Sequence, residues 1–179
     1  MADSNITKRA LASALKELME EKNFSKISVA DICEKCDMNR KSFYYHFRDK
    51  YDLVNWIFDT EFIAVIRKQE ASITWDMLAA LCTYFYENRV FYRKALSVEG
   101  QNSFSDHFRE LLYTSIRSHL RVLKGAENAT DFQVNFFADA AALTFQRWIL
   151  DKNCMKPDEF LEQLKLCIQC MAAQYNNLQ

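Results

Sequence analysis

The chain has 179 residues, half of them hydrophobic, and a formal net charge of −1 at neutral pH, so it is long enough to bury a real core. Two glycines and one proline leave too little punctuation for an all-β fold with many tight turns, and the composition points to an all-α protein. No stretch reaches the uninterrupted apolar length of about 20 residues that a membrane span needs, and no apolar signal segment opens the sequence; a cytoplasmic protein without membrane contact is expected.

Residues 5 to 22 place Ile6, Ala10, Leu11, Ala14, Leu15, Leu18 and Met19 at the three-and-four spacing of one helix face. Asn23, which tolerates a left-handed backbone, is expected to end that helix, with Phe24 and Ile27 as apolar plugs in the connection. Ser28 and Asp31 form a Ser-x-x-Asp pattern whose hydroxyl and carboxylate can satisfy the exposed amides of a new first turn, and Ile27 with Ile32 makes a hydrophobic staple. That second helix runs to about Cys36, and Asp37 takes a turn position. Asn39 can cap a short third helix ending near His46, with Met38 and Phe43 repeating the staple. Asp49 then caps a fourth, whose apolar positions Leu53, Ile57, Ile63 and Ile66 carry it to about Arg67.

A break over Ala71 to Thr74 precedes helices over Trp75–Tyr86 and Arg89–Leu96. Gly100 and Asn102 mark a loop, and a long helix from Phe104 to Leu123 stops at Gly125. Thr130 or Asp131 opens a run to Asp151, and Pro157, in a suitable first-turn position, opens a last helix to about Tyr175. About nine helices are expected in all, without internal repeats or low-complexity segments.

The charge is unevenly placed. Between positions 35 and 50, Lys35, Arg40, Lys41, Arg48 and Lys50 oppose only Asp37 and Asp49, so this stretch carries +3 and the remainder −4. A local basic patch on an acidic body is the footprint of a face that meets a polyanion. A helix over 28–35, a turn of about three residues and a second helix from residue 39 match the helix-turn-helix, whose second helix lies in the major groove of double-stranded DNA. The side chains available to DNA would be Asn39, Arg40, Lys41, Ser42, Tyr44, Tyr45 and His46, while Phe43 and Phe47, four apart, face the core. Lys50, in the first turn of the fourth helix, is expected to hold a phosphate together with the free amides there. A basic, aromatic-rich helix can equally be a solvated face; here spacing, caps and staples agree on the functional reading.

The run SVADICEKCDMNRKSFYYHFRDKYDLV resembles the DNA-binding segment of TetR/AcrR-type transcription regulators, most specifically in Phe43-Tyr44-x-His46-Phe47-x-x-Lys50-x-x-Leu53, over roughly residues 6 to 55. Asp37 and Asn23 stand where that family usually has glycine. The resemblance implies a three-helix DNA-binding domain, residues 1–49, and a helical ligand-binding and dimerisation domain, residues 50–179. It implies that Tyr44, His46 and Lys50 hold phosphates, that Arg40, Lys41, Ser42 and Tyr45 lie nearest the bases, and that Ser28 lies near the backbone. It also implies a homodimer on a near-palindromic operator, joined through the last two helices, 131–151 and 157–175. Ala138, Ala140, Ala141 and Ala142 would let those helices approach, with Val134, Phe137, Phe145, Trp148, Phe160, Leu164, Ile168 and Met171 filling the seam.

Beyond residue 70 aromatic residues are dense, and the resemblance implies a small-molecule or protein effector acting on this part. Phe85, Tyr92 and Phe108 are candidate apolar walls, with His107, Arg117 and Arg147 as polar groups; the same aromatic stripe also suits ordinary core. The segment ENRVFYRKAL, residues 87 to 96, is similar to the C-terminal domain of a Firmicute subgroup of these regulators that includes activators of dihydroxyacetone kinase genes. Cys33-x-x-Cys36 and Cys167-x-x-Cys170 have zinc-site spacing, but each pair falls inside or at the end of a predicted helix, which favours packing over metal. His46, His107 and His119 form no nucleophile or metal constellation and no glycine loop cradles phosphate, so no enzyme, cofactor or metal is expected. The alternative is a helical interaction module whose basic face meets an acidic protein.

Overall fold

The computed structural model describes residues 2–66, 74–98, 103–122 and 128–177, and the last side chain described is that of Cys170. Among the described residues there are nine helices, one short 3-10 turn and no strand. They are α1 (Ala2–Glu21), the turn Phe24–Lys26, α2 (Val29–Lys35), α3 (Arg40–His46), α4 (Lys50–Phe58, continuing through Asp59–Ile63 and Ala64–Ile66), α5 (Trp75–Glu87), α6 (Arg89–Leu96), α7 (Phe104–Val122), α8 (Asp131–Leu150) and α9 (Pro157–Asn177). The chain is all-α, as its composition requires. The expected break at 71–73, the loop at Gly100 and Asn102, the helix ends at Arg67 and Leu123, the stop at Gly125 and the Met171 side chain lie outside the described residues.

Local chemistry accounts for the helix starts. Ser28 Oγ accepts from the Asp31 amide at 3.2 Å while Asp31 Oδ2 accepts from the Ser28 amide at 2.7 Å, a reciprocal box that opens α2. Asn39 Oδ1 accepts from the Ser42 amide at 2.8 Å to open α3, and Asp49 Oδ1 takes the amides of Tyr51 and Asp52, both at 2.8 Å, to open α4. Thr130, rather than Asp131, caps α8, through a second box with Gln133.

The end of α2 carries the one positive φ among non-glycine residues described, Asp37 at 51°. The Met38 amide reaches Cys33 O at 2.8 Å and the Asp37 amide reaches Glu34 O at 3.3 Å, the paired bonds of a Schellman ending. The other expected left-handed residue is a correction: Asn23 is extended, at φ −69 and ψ 140, and does not close α1. Ile6 is also misplaced by its periodicity, being 64% exposed on the first turns of α1.

A further correction concerns α4. Asp59–Ile63 winds as a π-helix where regular winding was expected; Leu53, Val54, Ile57, Phe58 and Phe62 are buried, and Ile63 and Ile66 are partly buried and pack against the same core. The core is continuous from Leu11, Leu15, Phe24, Ile32 and Phe43 in the first helices to Phe58, Phe85, Tyr92, Phe104, Phe108 and Phe145 in the body. Phe58 stands at the junction, its ring 5.5 Å from Phe62, 5.6 Å from Phe85 and 5.3 Å from Phe104. In the body α7 packs along α8, and α9 packs on α5.

Candidate nucleic-acid interface

The α2–turn–α3 unit is built so that one side of α3 is anchored and the other is bare. Phe43 is fully buried and Phe47 nearly so, their rings 5.8 Å apart, with Phe47 against Trp56 of α4 at 5.7 Å. Lys8 of α1 lies 5.8 Å above both the Phe47 and Trp56 rings, which ties α1 to the back of α3. On the other side Tyr45 is 82% exposed and Tyr44 50% exposed, and Asn39, Arg40 and Lys41 are exposed with them. The outward direction of these groups follows from the helical spacing of the two phenylalanines.

Not every expected contact residue is equally available. Asn39 Oδ1 also accepts from Ser42 Oγ at 3.1 Å, so this pair is engaged in capping α3. Ser28 Oγ lies 2.5 Å from Asp31 Oδ2, and that hydrogen bond holds the Asp31 carboxyl below its ordinary range. His46 stacks edge-on against Tyr45 at 4.8 Å. Thr7, Asn39, Lys41, Ser42, Tyr45 and His46 line an open depression of about 280 Å³, wide enough for a phosphate group or a base edge. Thr7 of α1 lines this depression as well; a hydroxyl in the first turns of a helix carries no signal of that in the sequence, because only the fold brings α1 beside α3.

Lys50 is a correction. Its ammonium donates to the carbonyls of Phe24 and Ile27, both at 2.7 Å, and of Ser25 at 3.4 Å, and it lies 4.6 Å above the Phe24 ring. Burial pushes its pKa below the usual lysine value. The amides of the α4 first turn that were to join it are taken by Asp49. In this structure Lys50 therefore closes the Phe24–Lys26 turn instead of offering a cation to DNA.

Two family models match the chain: "Bacterial regulatory proteins, tetR family" over residues 11–57, and "Transcriptional regulator C-terminal region" over residues 74–170, more than half its length. The chain belongs to the TetR family of transcription regulators. It is similar to the HTH-type dhaKLM operon transcriptional activator DhaS of Lactococcus lactis subsp. lactis (strain IL1403), 33% identical over 100 residues. That match spans 55% of this chain and about half, 54%, of that relative's length. Among solved structures, a dihydroxyacetone kinase operon activator DhaS matches with a TM-score of 0.62 at 23% identity, covering 94% of this chain and 96% of the other. A TetR regulator from Streptococcus agalactiae 2603V matches with a TM-score of 0.67 at 21% identity, covering 90% and 93%. The likenesses to solved structures show a shared fold. The family is one of regulators, not of enzymes.

The body of this TetR-family chain does not gather the six expected ligand residues. Phe85, Tyr92 and Phe108 are buried against one another, Phe85 lying 4.9 Å from Tyr92 and 5.1 Å from Phe108, so they fill core. His107 Nε2 meets Asp59 at 2.9 Å, Arg117 bonds Tyr113 and Asp131, and Arg147 is exposed on α8. What does connect is a polar chain through the π-helical stretch. Tyr92 and Tyr84 hydroxyls lie 2.7 Å apart, Tyr84 donates to Glu61 at 3.0 Å, and Glu61 pairs with Lys16 of α1 at 2.5 Å. Burial raises both tyrosine pKa values.

The expected seam residues divide in the same way. Val134, Phe145, Trp148 and Phe160 are buried within one chain; Trp148 stacks on Phe160 at 4.1 Å and donates to Met155 O at 2.9 Å. They are therefore occupied by intrachain packing. Phe137 and Ile168 are exposed, Ala141 and Leu164 partly so, and Phe132, 80% exposed, Phe136, Leu143 and Leu166 are exposed apolar residues beyond the expected set. All six cysteines are unpaired thiols; burial raises Cys33 and Cys36 and pushes Cys82 up to about 12. Among the described residues no three His, Cys, Asp or Glu side chains are grouped to hold a metal ion, and no helix is long and apolar enough to cross a membrane.

Proposed function

We propose that this chain binds a near-palindromic double-stranded DNA operator as a homodimer, with residues 1–49 as the reading head and residues 50–179 as the part that dimerises and answers an effector. The observation that carries the reading is the two-sided α3: Arg40, Lys41, Tyr44 and Tyr45 outward, Phe43 and Phe47 anchored. Arg40 has the planar fork that pairs with O6 and N7 of guanine, and Tyr44, His46 and Lys41 suit phosphates. One helix of seven residues reads only a few base pairs, so a symmetric pair is needed for a useful site. The exposed apolar residues of α8 and α9, Phe132, Phe136, Phe137, Leu143, Leu166 and Ile168, supply a self-complementary surface for that pair. The effector would act on the aromatic body, whose rings must open to admit a small molecule.

The test is selection of bound DNA from a random pool with the whole chain, followed by footprinting. The expected result is a near-palindrome, with Arg40→Ala losing about 1–3 kcal/mol at one base pair of each half and little elsewhere. Wild-type protein without sequence preference would overturn the reading, and an acidic protein as the only partner of the basic face would replace it.

A further inference from the structure

Arg93 and Lys94 are neighbours on α6, and each closes the C-terminal end of a different helix. Arg93 donates through Nε to Ile149 O and through Nη2 to Asp151 O, both at 2.9 Å, at the end of α8. Lys94 Nζ donates to Met19 O and, at 3.1 Å each, to Glu20 O and Lys22 O, at the end of α1. Carbonyls in a last helical turn have no partner within the helix and form the negative end of its dipole, so a cation there satisfies both. Neither helix closes itself with a left-handed residue: Asn23 is extended, and Asp151 follows α8 at φ −66 and ψ 126. The helix that carries the two cations is itself fixed. Phe91, Tyr92, Ala95 and Leu96 are buried, and Lys16 of α1 lies 5.9 Å above the Phe91 ring.

We propose that α6 is a strut between the reading head and α8, and that Lys94 is the positioning residue for operator reading. It rests on the dimer reading above. If α8 helps join the two copies, its end is fixed relative to the two-fold axis; Arg93 transfers that position to α6, and Lys94 transfers it to α1. Because α1 carries the back of α3 through Lys8, the distance between the two copies of α3 depends on this adjacent pair of cations. A head held in this way accepts one separation of half-sites, whereas a head free to swivel accepts several.

The experiment compares wild type, Lys94→Met and Arg93→Met on the selected palindrome and on versions with one base pair added to or removed from its centre. Wild type should discriminate against the altered spacings. Lys94→Met should lower that discrimination roughly tenfold, about the effect of one lost charge-assisted hydrogen bond, while leaving the base preference within each half-site unchanged. Arg93→Met should act in the same direction. A folded Lys94→Met with undiminished spacing discrimination overturns the strut. A wild type that prefers no spacing, although it selects half-sites, overturns the dimer reading and the strut with it. Should the variants fail to fold, hydrogen exchange on wild type decides: amides of residues 18–22 and 147–151 should gain protection together on binding the palindrome, and protection at one end alone overturns the proposal.

Discussion

Asp37 holds a left-handed backbone at φ 51 that glycine would adopt without a Cβ clash, and the Asp37 and Met38 amides complete the ending of α2 from there. Asp37→Gly should therefore stabilise the fold by up to about 1 kcal/mol, read as a higher urea midpoint with an unchanged slope. A lower midpoint would mean that the aspartate side chain contributes something the backbone geometry does not explain. Ser28 gives the opposite case. Removing its hydroxyl in Ser28→Ala should cost about 1 kcal/mol, as helix caps generally do. Asp31, its partner, titrates below its ordinary range because of the Ser28 hydrogen bond, and Asp131 does so because of hydrogen bonds from Arg117 and Tyr113. A carboxyl lowered by folding contributes stability above its unfolded pKa and loses it as pH falls through the folded value. Thermal midpoints should hold down to about pH 4 and then fall; Asp31→Asn should soften that fall, and an unaltered acid limb would remove Asp31 from the explanation. These caps were legible because donor, acceptor and staple lie within four residues of one another.

At the level of helices, local signals mark where each begins, and partners far along the chain determine some of the endings. Lys50 illustrates this: its neighbours in sequence suggest a phosphate ligand, whereas its ammonium reaches carbonyls more than twenty residues earlier. Lys50→Met should lower stability and leave the slope of log affinity against log salt unchanged, while Lys41→Ala should flatten that slope by about one unit. Equal flattening by both would restore Lys50 to the DNA contacts. The same distance effect hid the closure of α1 by Lys94, 72 to 75 residues away, behind the more obvious Asn23. Helix α8 was hard to read for another reason. It is apolar on two opposite sides, with Val134 and Trp148 buried and Phe132 and Phe136 exposed, so periodicity cannot separate the face it packs from the face it offers.

For the molecule as a whole, the exposed apolar residues of α8 carry the oligomer prediction. Phe132→Asp with Phe136→Asp should yield monomers in sedimentation at micromolar concentration, with the helix content of wild type; dimers that persist would place the seam elsewhere. The Phe58 cluster carries the stability prediction, since its ring packs against Phe62, Phe85 and Phe104 at once. Phe58→Ala should cost about 3–5 kcal/mol, measured by denaturant unfolding. The helix-turn-helix was legible from sequence, and the link between it and the helices that follow was not, because that link depends on the change of winding at Asp59–Ile63. Asp59 thereby reaches His107 on α7, while Glu61 reaches Tyr84 on α5 and Lys16 on α1. A π turn holds about one residue more than an α turn, so losing a single codon from these five would restore ordinary winding with Ala64–Ile66 nearly in phase, and would remove the bulge that presents Asp59 and Glu61 to these partners. A change of length by one residue is thus tolerated here by the helix that follows, and what it would cost is the pair of links to α1, α5 and α7 that the bulge displays.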